Sequence, residues 1–260
     1  MGRLRINLFR IRKWKQALCC FHLRFFYSTT SVQIHENTTL VLNDHDTNKA
    51  YYPRFITFNT LHRPYITLKW AESADRFIDI ERTSGMPLIL SSPLTSMLVH
   101  KKRAEADAIM VGRRTALLDN PSLTVRNWYG HNPIRVVLDR TLSLPNDLQI
   151  FDGNVPTLVF TEKKQPARTN ITYISIDFNH NPLEQIMEVL YQRKIQSLLV
   201  EGGSQLLQSF INDELWDEAY IEKCPSRLHS GVQAPQMNDN FSYSIEEHFE
   251  RQIWHYVRRI

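Results

Sequence analysis

Residues 197–210 read SLLVEGGSQLLQSF, and the fold turns on how they are taken. Ser197 to Val200 form a short apolar run of the kind seen in a strand buried on both faces. Gly202 and Gly203 follow Glu201, and a helix spelled SQLLQSFINDEL begins at Ser204. Glycines allow close backbone approach, and the free amides of a helix start favour an anion. Glu201 would then stand at the end of the strand, aimed into the space beyond the sheet. Packing alone can also demand glycine at such a turn.

Outward from this unit, strand and helix patterns alternate. YITLKW (65–70), AIMVG (108–112), IRVVLD (134–139), TLVFT (157–161) and ITYISI (171–176) are compact and rich in β-branched residues. Ser92-Pro93 supplies a cap and a first-turn proline for a helix at about 93–105, with Leu94, Met97 and Leu98 as its apolar stripe. Pro182 opens another helix, striped by Leu183, Ile186, Met187 and Leu190. AYIEKCP and RQIWHYV read as late strands, the second as an antiparallel edge near the C-terminus. This alternation predicts an α/β fold with a mostly parallel central sheet flanked by helices.

Charge is unevenly placed along the 260 residues. Residues 1–35 hold seven Lys/Arg and no acid, whereas the rest carries 24 basic and 27 acidic side chains, so no basic face for nucleic acid is expected in the folded part. The basic start has the composition of an organelle transit peptide or of an unstructured extension. Residues 1–52 are read as that extension and 53–260 as the folded domain, cytoplasmic unless the start is a targeting signal. Cys19, Cys20 and Cys224 form neither a disulfide framework nor a C-x-x-C zinc pair, and no apolar run is long enough for a membrane helix. No metal site is expected.

Ligands of open α/β sheets bind beyond the carboxyl ends of strands, and four places there carry suitable chemistry. The first is Glu201 with Gly202, Gly203 and Ser204. The second is RRTALLDNPSLTVR (113–126), read as a loop in which Thr115 and Asp119 offer oxygens four residues apart and Arg126 returns a positive charge. The third is Arg103, off the apolar stripe of its helix; two arginines converging on one cleft suit a phosphate monoester. The fourth is Asp139-Arg140, where Arg140 suits the 2′-phosphate that separates NADPH from NADH. Lys69 stands on an otherwise apolar strand and either reaches solvent or faces a substrate. The G-x-G-x-x-G fingerprint, the phosphate loop, the G-x-S-x-G elbow and H-E-x-x-H are all absent.

Taken in order, RPYITLKWAESAD, LSSP, HKKRAEADAIMVGRRTALLDNPSLTVR, NPIRVVLD, SLLVEGGSQLL and LWDEAYIEKCPSRLHSGVQAP resemble the reductase domain of the bacterial riboflavin-biosynthesis deaminase-reductases, the RibD/RibG family. The resemblance covers roughly residues 53–237 and implies a dihydrofolate-reductase-like α/β fold. It implies NADPH-dependent reduction of 5-amino-6-(5-phosphoribosylamino)uracil at C1 of the ribose to the ribitylamino compound. By position, Arg103, Leu123, Arg126 and Glu201 match substrate contacts of the family. Thr115, Asp119, Arg140 and the segment from Gly203 match positions lining the cofactor. Lys69, Asp75, Glu201 or a water is expected to protonate the ring oxygen. A homo-oligomer and cooperation with a separate deaminase are expected partners.

Two departures stand out. Where the family has S-x-D-G this chain has Ser73-Ala74-Asp75-Arg76, so a positive φ there would cost Arg76 about 1 kcal/mol relative to glycine. That arginine either adds a phosphate contact or reduces activity. The zinc-deaminase signature, H-x-E with P-C-x-x-C, is absent, and deaminase activity is not expected. Two other readings remain: a reductase of the undeaminated 2,5-diamino-pyrimidinone ribosyl phosphate, and a non-catalytic relative that binds NADPH or a separate deaminase.

Overall fold

The structure, a computed structural model, describes residues 31–34, 38–41, 46–82, 86–239 and 241–258, with side chains from Pro53 onward. Of residues 1–52, read above as a transit-like or unstructured extension, 1–30, 35–37 and 42–45 lie outside them, whereas 31–34, 38–41 and 46–52 fall in regular elements, the last in a helix that runs across the expected boundary at 52/53. The chain divides into two units, Met1–Leu61 and His62–Ile260. The first holds an antiparallel pair, β1 (Ser31–Ile34) with β2 (Thr38–Val41), and helix α1 (Asp46–Thr60), which contains Pro53.

In the second unit the strands are β3 (Tyr65–Glu72), β4 (Phe77–Asp79), β5 (Ala108–Val111), β6 (Ile134–Leu138), β7 (Thr157–Thr161), β8 (Ile171–Ser175), β9 (Ser197–Val200), β10 (Glu218–Lys223), β11 (Val232–Gln233), β12 (Phe241–His248) and β13 (Arg251–Arg258). Between them lie α2 (Pro93–Glu105), α3 (Arg113–Asp119), α4 (Pro182–Gln192) and α5 (Ser204–Asn212). Among the described residues nine strands form one sheet in the order β12-β13-β10-β3-β9-β5-β6-β7-β8. Pairing is parallel from β10 through to β8 and antiparallel only for β13 and β12. The expected α/β architecture with a mostly parallel central sheet is the one found.

Burial follows from composition. β5, β7 and β9 are buried at every position because both faces are covered, one by α4 and α5 and the other by Ala116, Leu123, Leu144, Leu148 and Ile150. The stripe Leu183, Ile186, Met187 and Leu190 of α4 lies on the core, and α5 inserts Leu206, Leu207, Phe210 and Ile211 beside it. α2 differs from expectation. Its boundaries and its Ser92 cap, which accepts the Thr95 amide, are as read, but Leu94 and Met97 are exposed and its buried residues are Thr95 and His100. The helix covers polar groups at the strand ends and not the apolar core.

Two further differences concern strands. β13 is not the edge, since it pairs with β10 on one side and β12 on the other. The alternation of Phe241, Tyr243 and Ile245 with Ser242, Ser244 and Glu246 is the period-two signal for the outer strand β12. Residues 113–119, read as loop, form the short helix α3.

At the opposite end of the sheet, Arg63 and Asp217 make a buried bidentate pair at 2.6 and 2.8 Å, and Asp217 also accepts the Ile66 amide at 2.7 Å. This fixes the start of β3 against β10. Removing one partner leaves the other charged and desolvated, so Asp217→Ala is expected to lower the unfolding free energy by about 3–5 kcal/mol, read from the urea midpoint.

Candidate active site

Chain direction sets where a ligand fits. From β5 the chain passes through α3 to β6 on one side, whereas from the adjacent β9 it passes through α5 to β10, beyond β3 on the other side. β5 and β9 therefore flank a topological switch point, where the departing helices leave a crevice at the carboxyl edge. Gly112 and Gly203 are the caps of α3 and α5, and neither helix has a side-chain cap. A Cβ on Gly203 would lie 3.2 Å from Thr115 Oγ1, so the α5 start runs close against the Thr115 hydroxyl. A Cβ on Gly202 would lie 2.8 Å from Leu206 Cδ2, which gives that glycine a packing role.

Beside the crevice lies a charge cluster. Arg103, in the last turn of α2, grips Glu201 bidentately, with Nε–Oε1 at 3.0 Å and Nη2–Oε2 at 2.6 Å, and donates through Nη1 to the Thr124 carbonyl at 3.3 Å. Both side chains are 13% exposed. Burial alone would raise the Glu201 pKa, but Arg103, with help from Lys69, holds it below the usual carboxylate range. Lys69 is the next residue of β3 after Leu68, which pairs with Val200, so it sits beside Glu201. Desolvation depresses its pKa below the ordinary lysine value, against the opposing charges of Glu201 and Glu222.

The segment 120–126 is tied down by hydrogen bonds at several points. Asn120 is left-handed at φ 41 and accepts two hydrogen bonds from Gln149, its side-chain oxygen from the amide at 2.7 Å and its carbonyl from Nε2 at 2.9 Å. Val125 donates to Asn132 at 2.8 Å, and Arg126 donates its amide to His100 Nδ1 at 3.2 Å. Leu123 is buried with φ 54, a conformation an ordinary side chain avoids unless its surroundings impose it. The exposed Arg126 guanidinium contacts Ser122 Oγ.

The remaining expected residues have other partners. Asp75 accepts Ser73 Oγ at 2.6 Å and the amides of Leu228 and His229 at 3.1 and 2.8 Å, so its carboxylate fastens the loop after β10, and its pKa is well below normal, first through Ser73. Asp119 is paired with Arg82, which also binds Asp79 and the Leu118 carbonyl. Asp139 is buried and accepts the Ser143 and Leu144 amides, while Arg140 is half-exposed between Glu162 and Asn179. Arg76 does adopt the positive φ that the departure implied, at 66°, and its guanidinium donates to the Pro235 carbonyl at 3.0 Å.

Sequence reading passed over three groups at this place. His100 was hidden by the apolar reading of α2. Glu222 is buried on β10, where it accepts Ser91 Oγ at 2.6 Å and Thr95 Oγ1 at 2.7 Å. Arg82 lies outside every regular element. The available signal was the weak apolar stripe of α2 itself.

The residues present fit a nicotinamide dinucleotide: uncapped α5 amides, a glycine held against Thr115, and cations at the ends of β5, β6 and β7, namely Arg113, Arg140 and Lys163. Among the described residues no three His, Cys, Asp or Glu side chains cluster as a metal site, and no helix is long and apolar enough to cross a membrane.

Residues 64–228 match the model of the RibD C-terminal domain. The chain is 31% identical over 201 residues to the riboflavin biosynthesis protein RibD of Aquifex aeolicus, covering 74% of this chain and 54% of the relative. It is 31% identical over 198 residues to the 2,5-diamino-6-ribosylamino-4(3H)-pyrimidinone 5′-phosphate reductase of Archaeoglobus fulgidus, covering 70% and 89%. The chain spans about half the length of the RibD relatives it matches. Among solved structures, a Thermotoga maritima diaminohydroxyphosphoribosylaminopyrimidine deaminase/5-amino-6-(5-phosphoribosylamino)uracil reductase superposes with a TM-score of 0.71 at 28% identity, covering 80% of this chain and 60% of that one. A Saccharomyces cerevisiae riboflavin biosynthesis reductase shares the fold with a TM-score of 0.62 at 19% identity, over 80% of this chain and 99% of that one.

Proposed function

The chain belongs to the RibD C-terminal domain family, and from that premise we propose that it is an NADPH-dependent reductase of a phosphoribosylaminopyrimidine in riboflavin biosynthesis. The observation that carries this reading is the Arg103–Glu201 pair set beside Lys69 at the switch point. NADPH, when bound, supplies the hydride that reduces C1 of the ribose. Thr115, Asp119, Gly202, Gly203 and Ser204 would hold it, with Arg140 on its 2′-phosphate. Arg103, Leu123 and Arg126 would hold the substrate, the two arginines on its 5′-phosphate.

The roles of the three candidate acids separate on physical grounds. Asp75 is committed to the loop at Leu228 and His229, and Glu201 is held as a carboxylate by Arg103. A carboxylate so stabilised is a poor acid. Lys69, whose ammonium is destabilised by burial, is in this reading the group that gives a proton to the opening ribose oxygen. Glu201 then fixes Arg103 and contacts substrate. Residues 53–260 form the reductase domain in this reading, and residues 1–52 carry no deaminase motif.

The substrate is 5-amino-6-(5-phosphoribosylamino)uracil. The undeaminated diaminopyrimidinone is the second reading, favoured by coverage of 89% of an archaeal reductase named for it. Both are tested by following NADPH absorbance with each pyrimidine. Arg126→Ala is expected to raise KM about 100-fold, through loss of a charge-assisted phosphate contact, with kcat little changed. Absence of pyrimidine-dependent oxidation with either compound would overturn the proposal.

A further inference from the structure

His100 is 3% exposed on α2, one turn before Arg103, and is the acceptor for the Arg126 amide. Thr95 is the other buried residue of α2. Arg103 reaches the same segment at the Thr124 carbonyl. Two side chains of one helix turn thus hold residues 124 and 126 of the segment that carries Leu123 in its strained conformation. An acceptor on Nδ1 requires that nitrogen to be without a proton.

We infer that His100 is a positioning residue: its neutral imidazole fixes the Arg126 backbone so that the Arg126 guanidinium is presented, with Arg103, to an anionic group of the substrate. The charges facing the ring are Arg103 on its own helix, Arg126 on the segment and Glu201 at the end of β9. Burial first, then Arg103 and Arg126, lower its pKa from the ordinary 6.5, against Glu201 and a hydrogen bond with the Thr124 backbone. Since the folded pKa is depressed, the ring is neutral at pH 7 and above. The clamp is lost only as pH falls through the lowered value, because a protonated ring cannot accept the amide.

This inference rests on the reductase reading for the role of Arg126, but the clamp itself is measurable without turnover. Hydrogen exchange at the Arg126 amide and full kinetics with both pyrimidines are compared in wild type, His100→Leu and His100→Asn. In His100→Leu the amide is expected to lose about tenfold or more of its protection, the worth of one hydrogen bond. KM should rise about tenfold while kcat stays within about threefold. His100→Asn keeps an acceptor at the same reach, so it should restore KM and protection and abolish their loss at acid pH. Combined with Arg126→Ala, His100→Leu should add nothing further.

Unchanged amide protection in His100→Leu overturns the clamp. A fall in kcat at constant KM, or effects that multiply with Arg126→Ala, overturns the positioning role. If wild type turns over neither pyrimidine, the reductase reading fails, and amide protection alone decides the clamp. Should His100→Leu not fold, the acid-dependent loss of protection in wild type, set against its absence in His100→Asn, decides it equally.

Discussion

Lys69→Met is expected to lower kcat by about 100- to 10,000-fold, the range that a positioned general acid contributes. NADPH affinity, measured by fluorescence quenching, should stay within about threefold, because Lys69 lies on β3 beside Glu201 and not at the α5 start. The pH profile carries the sign. An acid must hold its proton, so kcat falls as pH rises through the folded pKa of Lys69, which burial places below the ordinary lysine value. The alkaline limb should therefore begin earlier than for an exposed lysine, and Lys69→Met should remove it. Lys69→Arg keeps the charge beside Glu201 and Glu222 but holds its proton too tightly, so it should not rescue kcat. A Lys69→Met enzyme with wild-type kcat and an intact alkaline limb would assign the proton to a water.

Arg103→Met is the second large effect, and it is expected in two measurable quantities. Glu201 is left desolvated without its bidentate partner, which should cost about 3 kcal/mol of stability. The lost guanidinium should lower kcat/KM by about 100- to 1,000-fold, as for removal of one preorganised donor. Adding Glu201→Gln removes the stranded charge, so the double variant should recover most of the stability in urea titration and none of the activity. Recovery of both would make the pair a structural tie; recovery of neither would mean that Glu201 has another partner in holding the fold.

The fold was legible because its signals were local and apolar. The run Ser197–Val200, the glycines after it and the stripes of α4 and α5 each determine one element, and the switch point follows from their order. β12 was overlooked because only alternate residues are apolar and the strand stands at the sheet edge, where polar residues are tolerated. The site was legible in part. Glu201 and Arg103 were visible as residues but not as a pair, since 98 positions separate them in the chain and only the β5–β9 register brings them together. His100 was invisible because a helix that buries polar groups carries no periodic apolar signature, and Glu222 because its partners Ser91 and Thr95 lie about 130 residues away in the chain. Asp75 and Asp119 looked like free carboxylates, and their partners, the Leu228 amide and Arg82, lie on segments with no regular pattern. Arg76 shows the converse: a family departure in sequence pointed to a left-handed residue, and the backbone has one.

The most direct test uses NADPH deuterated at both positions of nicotinamide C4, with product analysis by mass spectrometry after reaction with each pyrimidine. A single deuterium is expected at C1 of the ribityl chain, in a product formed only when the phosphoribosyl substrate is present. Cofactor oxidation that leaves C1 unlabelled, or binding of both ligands with no product, would contradict the reductase reading.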